Sequence, residues 1–368
     1  MFKGHGGYIK AIGNDGSSII DFSANINPLG YPAEVRKVIF EHFDEIKHYP
    51  DIDCSALRCG IARKIGHTEH EIMVGNGSTE LFYLIPRTEK PARGVVFQPT
   101  FSEFAEALRC SGAGVIHSVL KAEEGFRFQY HVNLFEDDGV AMAFLCNPNN
   151  PTGQLVEKTV ILDMVKRHPR ITFVIDEAFI DFVDKPERYS IVHEASALQN
   201  LVVVRSLTKF YGFPGIRVGY LVTHRERVEK MMALKEPWTV NTLAQLAAQA
   251  ALANVEFVSR TRAFVFEEQL FLFNGLTQIS GLSPYQPTAN YIFIKITGGK
   301  TTAPALRKQL LEYGIAIRDC SNFVGLNDSY FRVAVRTREE NMRLIGALKE
   351  VFFNFTKVGF AHSPIENR

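Results

Sequence analysis

From about residue 70 onward, short apolar runs alternate with segments of helical period, and this alternation constrains the fold more than any other feature. The strand candidates are E-I-M-V-G, G-V-V-F-Q-P, A-G-V-I-H-S-V, V-A-M-A-F-L-C, I-T-F-V-I-D, L-V-V-V-R and V-G-Y-L-V-T. Helical periods between them include S-E-F-A-E-A-L-R-C and E-K-T-V-I-L-D-M-V-K-R. Strands that are buried on both faces and spaced by helices predict an α/β fold with a mostly parallel sheet between helices. In such sheets, ligands bind where strands end and the next loops begin.

The pattern changes near residue 255. A long helical period, V-E-F-V-S-R-T-R-A-F-V-F-E-E, is followed by shorter strand candidates such as A-N-Y-I-F-I-K and Y-F-R-V-A-V-R. We therefore predict an N-terminal arm that forms part of a small domain (1–40), a large domain (41–254) and a C-terminal small α+β domain (255–368). A chain of 368 residues has the length for this arrangement.

Charge and cysteine content exclude several classes of function. The formal net charge is +1 without runs of like charge, so a nucleic-acid or anionic-membrane partner has no electrostatic support. The five cysteines form no C-x-x-C pair or metal-ligand cluster, so we expect no metal and a reduced compartment. The first residues lack the apolar core of a signal peptide, and no stretch approaches the ~18 apolar residues of a membrane span. These features predict a cytoplasmic protein.

Polar residues at four strand ends carry the candidate chemistry. Asp176 ends the apolar strand V-I-D, Asn150 lies in C-N-P-N-N-P-T-G, and Lys209 lies in V-V-V-R-S-L-T-K. The turn V-G-N-G-S-T-E-L-F runs into a helix, whose first N–H groups can bind a phosphate. Each feature alone has an ordinary explanation, as a helix cap, a turn or a solvated side chain.

Taken together, the four features match the requirements of pyridoxal phosphate. This cofactor needs an amine, a carboxylate at its ring nitrogen, a hydrogen-bond donor at its phenolic oxygen and a cup for its phosphate. Lys209, Asp176 and Asn150 provide the first three groups. The residues predicted to surround the phosphate are Gly77, Ser78, Thr79, Ser206, Thr208 and Arg217.

The motifs N-P-T-G, D-E-A-F and S-L-T-K-F-Y-G-F-P-G-I-R resemble those of fold-type I pyridoxal-phosphate enzymes, in the aminotransferase class that includes histidinol-phosphate aminotransferase. The resemblance runs from about residue 5 to 350. More narrowly, H-G-G, D-F-S-A-N-I-N-P-L-G, D-E-A-F-I-D-F and I-R-D-C-S-N-F-V-G-L resemble segments of the threonine-phosphate decarboxylases. Those enzymes convert L-threonine O-3-phosphate to (R)-1-amino-2-propanol phosphate for cobamide biosynthesis, and the resemblance implies this activity here.

The resemblance also implies roles around the cofactor. Lys209 would bond covalently to the cofactor, Asp176 would pair with the ring nitrogen, and Asn150 would meet the phenolic oxygen. Phe101 would stack on the ring; without the resemblance it reads equally well as a core phenylalanine. Tyr49 would reach the cofactor phosphate of a neighbouring subunit, which predicts a homodimer with its sites at the interface.

For the substrate, the resemblance points to a small phosphorylated amino acid. The residues implied in binding it are His5, Gly6, Asn25, Asn150, Arg318 and Arg332. A carboxylate and a phosphate each suit a guanidinium, which agrees with the two arginines. Arg336 is the alternative if Arg332 is only structural, because strand alternation puts both on one face.

One departure separates this chain from the aminotransferases. Histidinol-phosphate aminotransferases read D-E-A-Y where this chain has Phe179, and the missing hydroxyl leaves Asn150 to meet the phenolic oxygen. Three alternatives remain open: a transaminase, a non-catalytic regulatory protein that keeps the fold, and decarboxylation of serine phosphate. Serine and threonine phosphates differ by one methyl group, worth only about 1–3 kcal/mol of discrimination.

Overall fold

The computed structural model describes residues 6–7, 19–137, 139–299 and 301–358. In these residues the strands are β1 (Ile20–Asp21), β2 (Ile72–Gly75), β3 (Arg93–Gln98), β4 (Gly114–Val119), β5 (Val140–Cys146), β6 (Thr172–Asp176), β7 (Leu201–Ser206), β8 (Gly219–Thr223), β9 (Leu282–Pro284), β10 (Tyr291–Ile296), β11 (Ile315–Ala316), β12 (Arg318–Asp319) and β13 (Tyr330–Ala334). The α-helices are α1 (Ala33–Glu41), α2 (Ser55–Ile65), α3 (Gly77–Glu89), α4 (Glu103–Cys110), α5 (Lys158–Arg167), α6 (Leu207–Phe210), α7 (Arg225–Met232), α8 (Thr242–Ala253), α9 (Val255–Thr277), α10 (Ala303–Glu312) and α11 (Arg338–Val358). None of these helices is long and apolar enough to cross a membrane.

The chain forms two compact units. The large unit spans Ile26–Ala263, and the small unit joins the described residues up to Asn25 with those from Phe264 onward. The sequence placed the divisions after residues 40 and 254 instead. Helix α1 belongs to the large unit because it packs against α8. The second observed division, after Ala263, lies within α9.

The large unit is built on a seven-stranded sheet in the order β2-β8-β7-β6-β5-β3-β4. Its neighbouring strands pair in parallel except for β8, which is antiparallel to both β2 and β7. The seven apolar runs of the sequence are these seven strands, so the prediction of a mostly parallel sheet is confirmed. The side chains of β5, β6 and β7 are almost all buried, because helices cover the sheet on both faces.

The small unit is α+β, as predicted. Its antiparallel sheet has the order β12-β13-β10-β9, and β1 pairs in parallel with β11. Its apolar core includes Phe22 from the N-terminal segment, Leu272 from α9, Phe331 from β13 and Leu348 from α11. The N-terminal segment therefore belongs to this unit through hydrophobic packing.

Candidate active site

The carboxyl ends of four strands meet along one edge of the large sheet. Cys146, the last residue of β5, pairs with Asp176, the last residue of β6. Ser206 at the end of β7 pairs with Gly219, which in turn pairs with Gly75 at the end of β2. The strand register therefore brings D-E-A-F, the start of S-L-T-K and the turn G-N-G-S-T to one edge, where ligands bind in such sheets.

Asp176 is a buried carboxylate with few partners. The Ala178 N–H donates to Asp176 Oδ1 at 2.9 Å, and Cys146 Sγ lies 3.7 Å from Asp176 Oδ2. Burial raises the pKa of Asp176 to about 7, although these two contacts and the Lys209 charge lower it. A protonated ring nitrogen would give this carboxylate the cation that its burial calls for, so Asp176 fits the pyridine ring of pyridoxal phosphate.

Lys209 lies in α6, one short turn beyond β7, and its side chain is half-buried. Its ammonium group is close enough to lower the pKa of Asp176. The structure thus places an amine and a carboxylate, 33 residues apart in the sequence by their numbers, within electrostatic reach of each other.

The first turn of α3 forms one side of a cup for an anion. The Asn76 side chain makes no capping hydrogen bond at this helix end, and the Glu80 carboxylate accepts from the Asn76 backbone N–H. Gly77 has φ +74°, which favours glycine, and a Cβ there would displace the Arg217 guanidinium that lies against the helix end. The Ser206 and Thr208 hydroxyls are buried 2.8 Å from each other on the neighbouring strand and helix. Uncapped N–H groups, a guanidinium and two hydroxyls fit a phosphate group.

The N-P-N-N-P-T-G loop is anchored by the asparagines that flank Asn150. Asn147 N–H donates to the Asp176 carbonyl at 2.8 Å, which ties the start of the loop to β6. Asn149 donates to the Pro99 carbonyl at 2.9 Å and accepts from the Thr100 hydroxyl at 2.8 Å. These bonds hold Asn150, and the residue after Thr100, beside the same sheet edge.

That next residue, Phe101, is only partly buried. Its ring packs edge-on against Phe104, with centroids 5.5 Å apart, and against Phe82 at 6.5 Å. The ring is therefore held by the core and keeps some exposed area.

A buried ion pair beside Asp176 was not singled out from the sequence. Arg205 Nε and Nη2 donate to Glu177 Oε2 at 3.0 and 2.8 Å, and the Glu177 side chain has no exposed area. Ser190 Oγ and the Ile191 N–H also donate to this carboxylate, each at 2.8 Å. The pair locks the ends of β6 and β7 together, since a buried charge that loses its partner costs about 3–5 kcal/mol. Charged residues directly after two apolar runs were the signal that could have revealed it.

Tyr49 does not point into the site of its own chain but lies on the surface. It is 83% exposed, and its ring centroid is 4.9 Å from that of Trp238. Other exposed apolar side chains of the same part of the chain are Tyr31, Phe40, Phe43, Ile46 and Ile52. Exposed apolar side chains concentrated in one segment are typical of a protein interface.

In the small unit, Arg318 and Arg332 are direct partners across β12 and β13. Directly opposed residues in an antiparallel pair project from the same face of the sheet, so the two guanidinium groups share a face. Arg332 is buried and donates to the Ser23 carbonyl at 2.7 Å, and burial lowers its pKa to about 10. Arg318 donates to Asn322 Oδ1 at 2.8 Å, and its guanidinium carbon lies 4.9 Å from the centre of the Phe323 ring.

The N-terminal segment reaches Arg332 through Ser23. The Gly7 N–H donates to Ser23 Oγ at 2.8 Å, and a Cβ on Gly6 would overlap the Ser23 carbonyl that accepts from Arg332. Asn25 is 3% exposed, and neither its Oδ1 nor its Nδ2 has a hydrogen-bond partner among the described residues. A buried amide of this kind calls for a ligand or water. His5 lies outside the described residues.

Arg336, the alternative to Arg332, is already paired with a carboxylate. It lies beyond the end of β13, where its Nε and Nη2 donate to Glu340 at 3.0 and 2.9 Å.

Comparisons with known proteins agree with this geometry. A family model for aminotransferase class I and II matches residues 17–348. Threonine-phosphate decarboxylase of Salmonella typhimurium is 34% identical over 94% of this chain and 96% of its own length.

Two solved structures that are each 30% identical cover 90% of this chain and 99% of their own chains. One is L-threonine-O-3-phosphate decarboxylase from Porphyromonas gingivalis, with a TM-score of 0.81. The other is histidinol-phosphate aminotransferase from Clostridium acetobutylicum, with a TM-score of 0.84. Both activities therefore occur among relatives of similar likeness. The chain belongs to the class I and II aminotransferase family and is a fold-type I enzyme whose cofactor is pyridoxal phosphate.

Proposed function

We propose that this enzyme is a cytoplasmic threonine-phosphate decarboxylase, which converts L-threonine O-3-phosphate to (R)-1-amino-2-propanol phosphate for cobamide biosynthesis. The observation that carries the proposal is the cross-strand pair Arg318–Arg332, which puts two guanidinium groups on one face of the small sheet. A short substrate with a carboxylate and a phosphate has one anion for each of them. The likeness to threonine-phosphate decarboxylases over nearly the whole chain supports the same substrate.

The proposed cofactor site lies at the edge of the large sheet. Lys209 supplies the amine for the covalent bond, Asp176 keeps the ring nitrogen protonated, Asn150 meets the phenolic oxygen and Phe101 packs against the ring. The phosphate is held by Gly77, Ser78, Thr79, Ser206, Thr208 and Arg217. When bound, the cofactor supplies an electron-withdrawing ring that stabilises negative charge at the substrate Cα.

The protein's contribution to the reaction is orientation and proton transfer. Arg318 and Arg332 hold the substrate so that the bond between Cα and the carboxylate is the one that breaks, and carbon dioxide leaves. The Lys209 ammonium then gives a proton to Cα, which forms the new C–H bond. Gly6, Asn25 and Asn150 complete the contacts to the substrate, and His5 is proposed to join them. Asn25 supports this role because its two buried amide atoms have no hydrogen-bond partner in the described part of the chain.

The same proposal includes a homodimer in which Tyr49 contributes to the cofactor phosphate site of the partner subunit. Its 83% exposure and its contact with Trp238 on an apolar surface support this. Sedimentation at micromolar concentration should give twice the 41.4 kDa chain mass. A monomer that decarboxylates at full rate would contradict the dimer.

The substrate is tested by measuring carbon dioxide release from threonine phosphate, serine phosphate and free threonine, with no keto acid present. We expect threonine phosphate to be the preferred substrate. Free threonine should be turned over at least ~10²-fold more slowly, because it lacks the phosphate that one of the two arginines binds. Preference for serine phosphate would change the substrate and keep the reaction. Turnover that requires 2-oxoglutarate and yields glutamate would instead identify a transaminase.

The two arginines give a second test. Arg318→Ala and Arg332→Ala should each lower kcat/KM for threonine phosphate by more than about tenfold, since a charge-assisted hydrogen bond is worth about 1.5–3 kcal/mol. The spectrum of the bound cofactor should not change. Arg343→Ala, at an exposed arginine of the same unit, is the control and should behave like the unmodified enzyme. If kcat/KM in all three variants equals that of the unmodified enzyme, Arg318 and Arg332 do not bind the substrate.

A further inference from the structure

The helix that carries Lys209 is too short to satisfy its own carbonyl groups. Helix α6 comprises only Leu207–Phe210. The last four carbonyls of any α-helix lack a partner in the following turn, and in a four-residue helix these are all of its carbonyls. The next residues give only long bonds, from Tyr211 N–H to Leu207 O at 3.3 Å and from Gly212 N–H to Lys209 O at 3.4 Å.

Asn27, which is distant in sequence, supplies the shorter bonds. Its backbone N–H donates to the Lys209 carbonyl at 3.1 Å, and its side-chain Nδ2 donates to the Phe210 carbonyl at 2.7 Å. Asn27 is 3% exposed, so water does not compete for these carbonyls. The end of the lysine helix is thus capped by a residue 183 positions away from Phe210.

The orientation of the Asn27 amide is itself fixed. Its Nδ2 also donates to the hydroxyl of Thr261 at 3.0 Å, and its Oδ1 accepts from the Leu29 N–H at 3.0 Å. Thr261 lies on α9 and has no exposed area. Both protons and the oxygen of the amide are therefore engaged, and the group cannot rotate without breaking a buried hydrogen bond.

A second observation points to the same contact. Gly212, in the turn that follows α6, has φ +67°, and a Cβ there would overlap the Gly30 carbonyl. The segment Asn27–Gly30 therefore rests directly on the backbone that follows Lys209. Any side chain at position 212 would push the two segments apart.

We propose that Asn27 is a positioning residue for the catalytic amine: it holds α6 so that Lys209 presents its Nζ to the cofactor and then to the substrate Cα. This inference rests on the proposed role of Lys209. Reacting atoms must be held about 3–3.5 Å apart, and a displacement of about 1 Å can lower the rate by about 10²-fold. Loss of the cap would move the backbone of Lys209 itself, whereas Arg318 and Arg332, which hold the substrate anions in the proposed function, belong to the small unit.

Asn27→Ala tests the proposal, because it removes both side-chain donors and keeps the backbone bond to Lys209. We expect the visible absorption band to form at least ~10-fold more slowly when pyridoxal phosphate is added to the cofactor-free variant. In the loaded enzyme, kcat should fall at least ~10-fold while KM changes less than about threefold. The matched control is Asn200→Ala, whose Nδ2 binds three backbone carbonyls near the opposite end of β7. It should lower stability to a similar degree without changing either rate.

Thr261→Val provides a second variant if Asn27→Ala does not give a folded protein. It keeps the shape of the side chain and removes the acceptor that orients the Asn27 amide, so both rates should fall at least ~3-fold, and Thr261→Ser should restore them. Normal rates in the folded variants would overturn the role of Asn27. Lys209→Ala separates this outcome from failure of the proposed site. If Lys209→Ala keeps the band, the assignment of the lysine is wrong. If Lys209→Ala loses the band but the Asn27 and Thr261 variants have unchanged rates, the positioning role of Asn27 is wrong.

Discussion

Replacing Lys209 with alanine should abolish both turnover and the visible absorption band of pyridoxal phosphate bound to the protein. In the proposed site the amine bonds to the cofactor and is the acid that returns a proton to Cα, and no other side chain of α6 can take its place. We expect a loss of about 10³-fold or more in kcat. Absorbance spectra recorded after addition of pyridoxal phosphate, together with carbon dioxide release, measure both effects.

The same variant should remain folded. Lys209 is only half-buried, so its truncation removes little packing, and circular dichroism should match that of the unmodified protein. The control is Lys230→Ala, which changes an exposed lysine of the same unit and should keep the band and the turnover. A Lys209→Ala protein with an unchanged visible spectrum would show that another amine carries the cofactor.

Asp176→Asn should lower turnover by about 10²-fold or more while leaving cofactor binding detectable. The amide has the shape of the carboxylate but cannot keep the ring nitrogen protonated, and an uncharged ring withdraws electrons poorly. Steady-state kinetics and the spectrum of the bound cofactor test this directly. Near-normal kcat in Asp176→Asn would reduce the carboxylate to a turn-forming role, through its bond from the Ala178 N–H.

The cofactor-free forms of these two proteins should also differ in how their stability depends on pH. In the folded protein the pKa of Asp176 is raised to about 7 from 3.8. The carboxyl group therefore favours the folded state fully below about pH 4, and this contribution is lost as the pH rises through about 7. At pH 8 the asparagine variant should be more stable than the unmodified apoprotein by up to about 4 kcal/mol, and the difference should shrink toward pH 4.5. Urea unfolding across this range measures it. Parallel pH profiles would mean that the carboxylate is not desolvated.

Much of the fold could be predicted from local patterns. Each of the seven strands of the large sheet was visible as a short apolar run. For β5, β6 and β7 the reason is that strands buried on both faces leave a continuous hydrophobic signature. Lys209, Asp176 and Asn150 were predicted as site residues for a related reason, since polar residues stand out where apolar runs end. The rule that ligands bind at those ends then linked them to one site.

Other features depend on contacts between distant segments. The strand order β2-β8-β7-β6-β5-β3-β4 could not be predicted from the apolar runs. The antiparallel direction of β8 could not be predicted either, because an apolar run has the same composition in both directions. The large unit begins at Ile26, whereas the sequence predicted residue 41, because α1 packs on α8, more than 200 residues later in the chain. The pairing of Arg336 with Glu340 was likewise not visible in the strand pattern, because Glu340 belongs to the following helix.

By itself, the sequence determined the fold class, the family and the residue types of the proposed site, because apolar runs, turn residues and motifs are local patterns. Only the tertiary structure decided which distant groups hold those elements in place. Glu177 and Arg205 became a buried ion pair through strand register, and Asn27 became the cap of the lysine helix through a bond across 183 positions. The physical reason is that buried charges and helix ends must find partners in space, and the chain's path, rather than local composition, determines which residues those partners are.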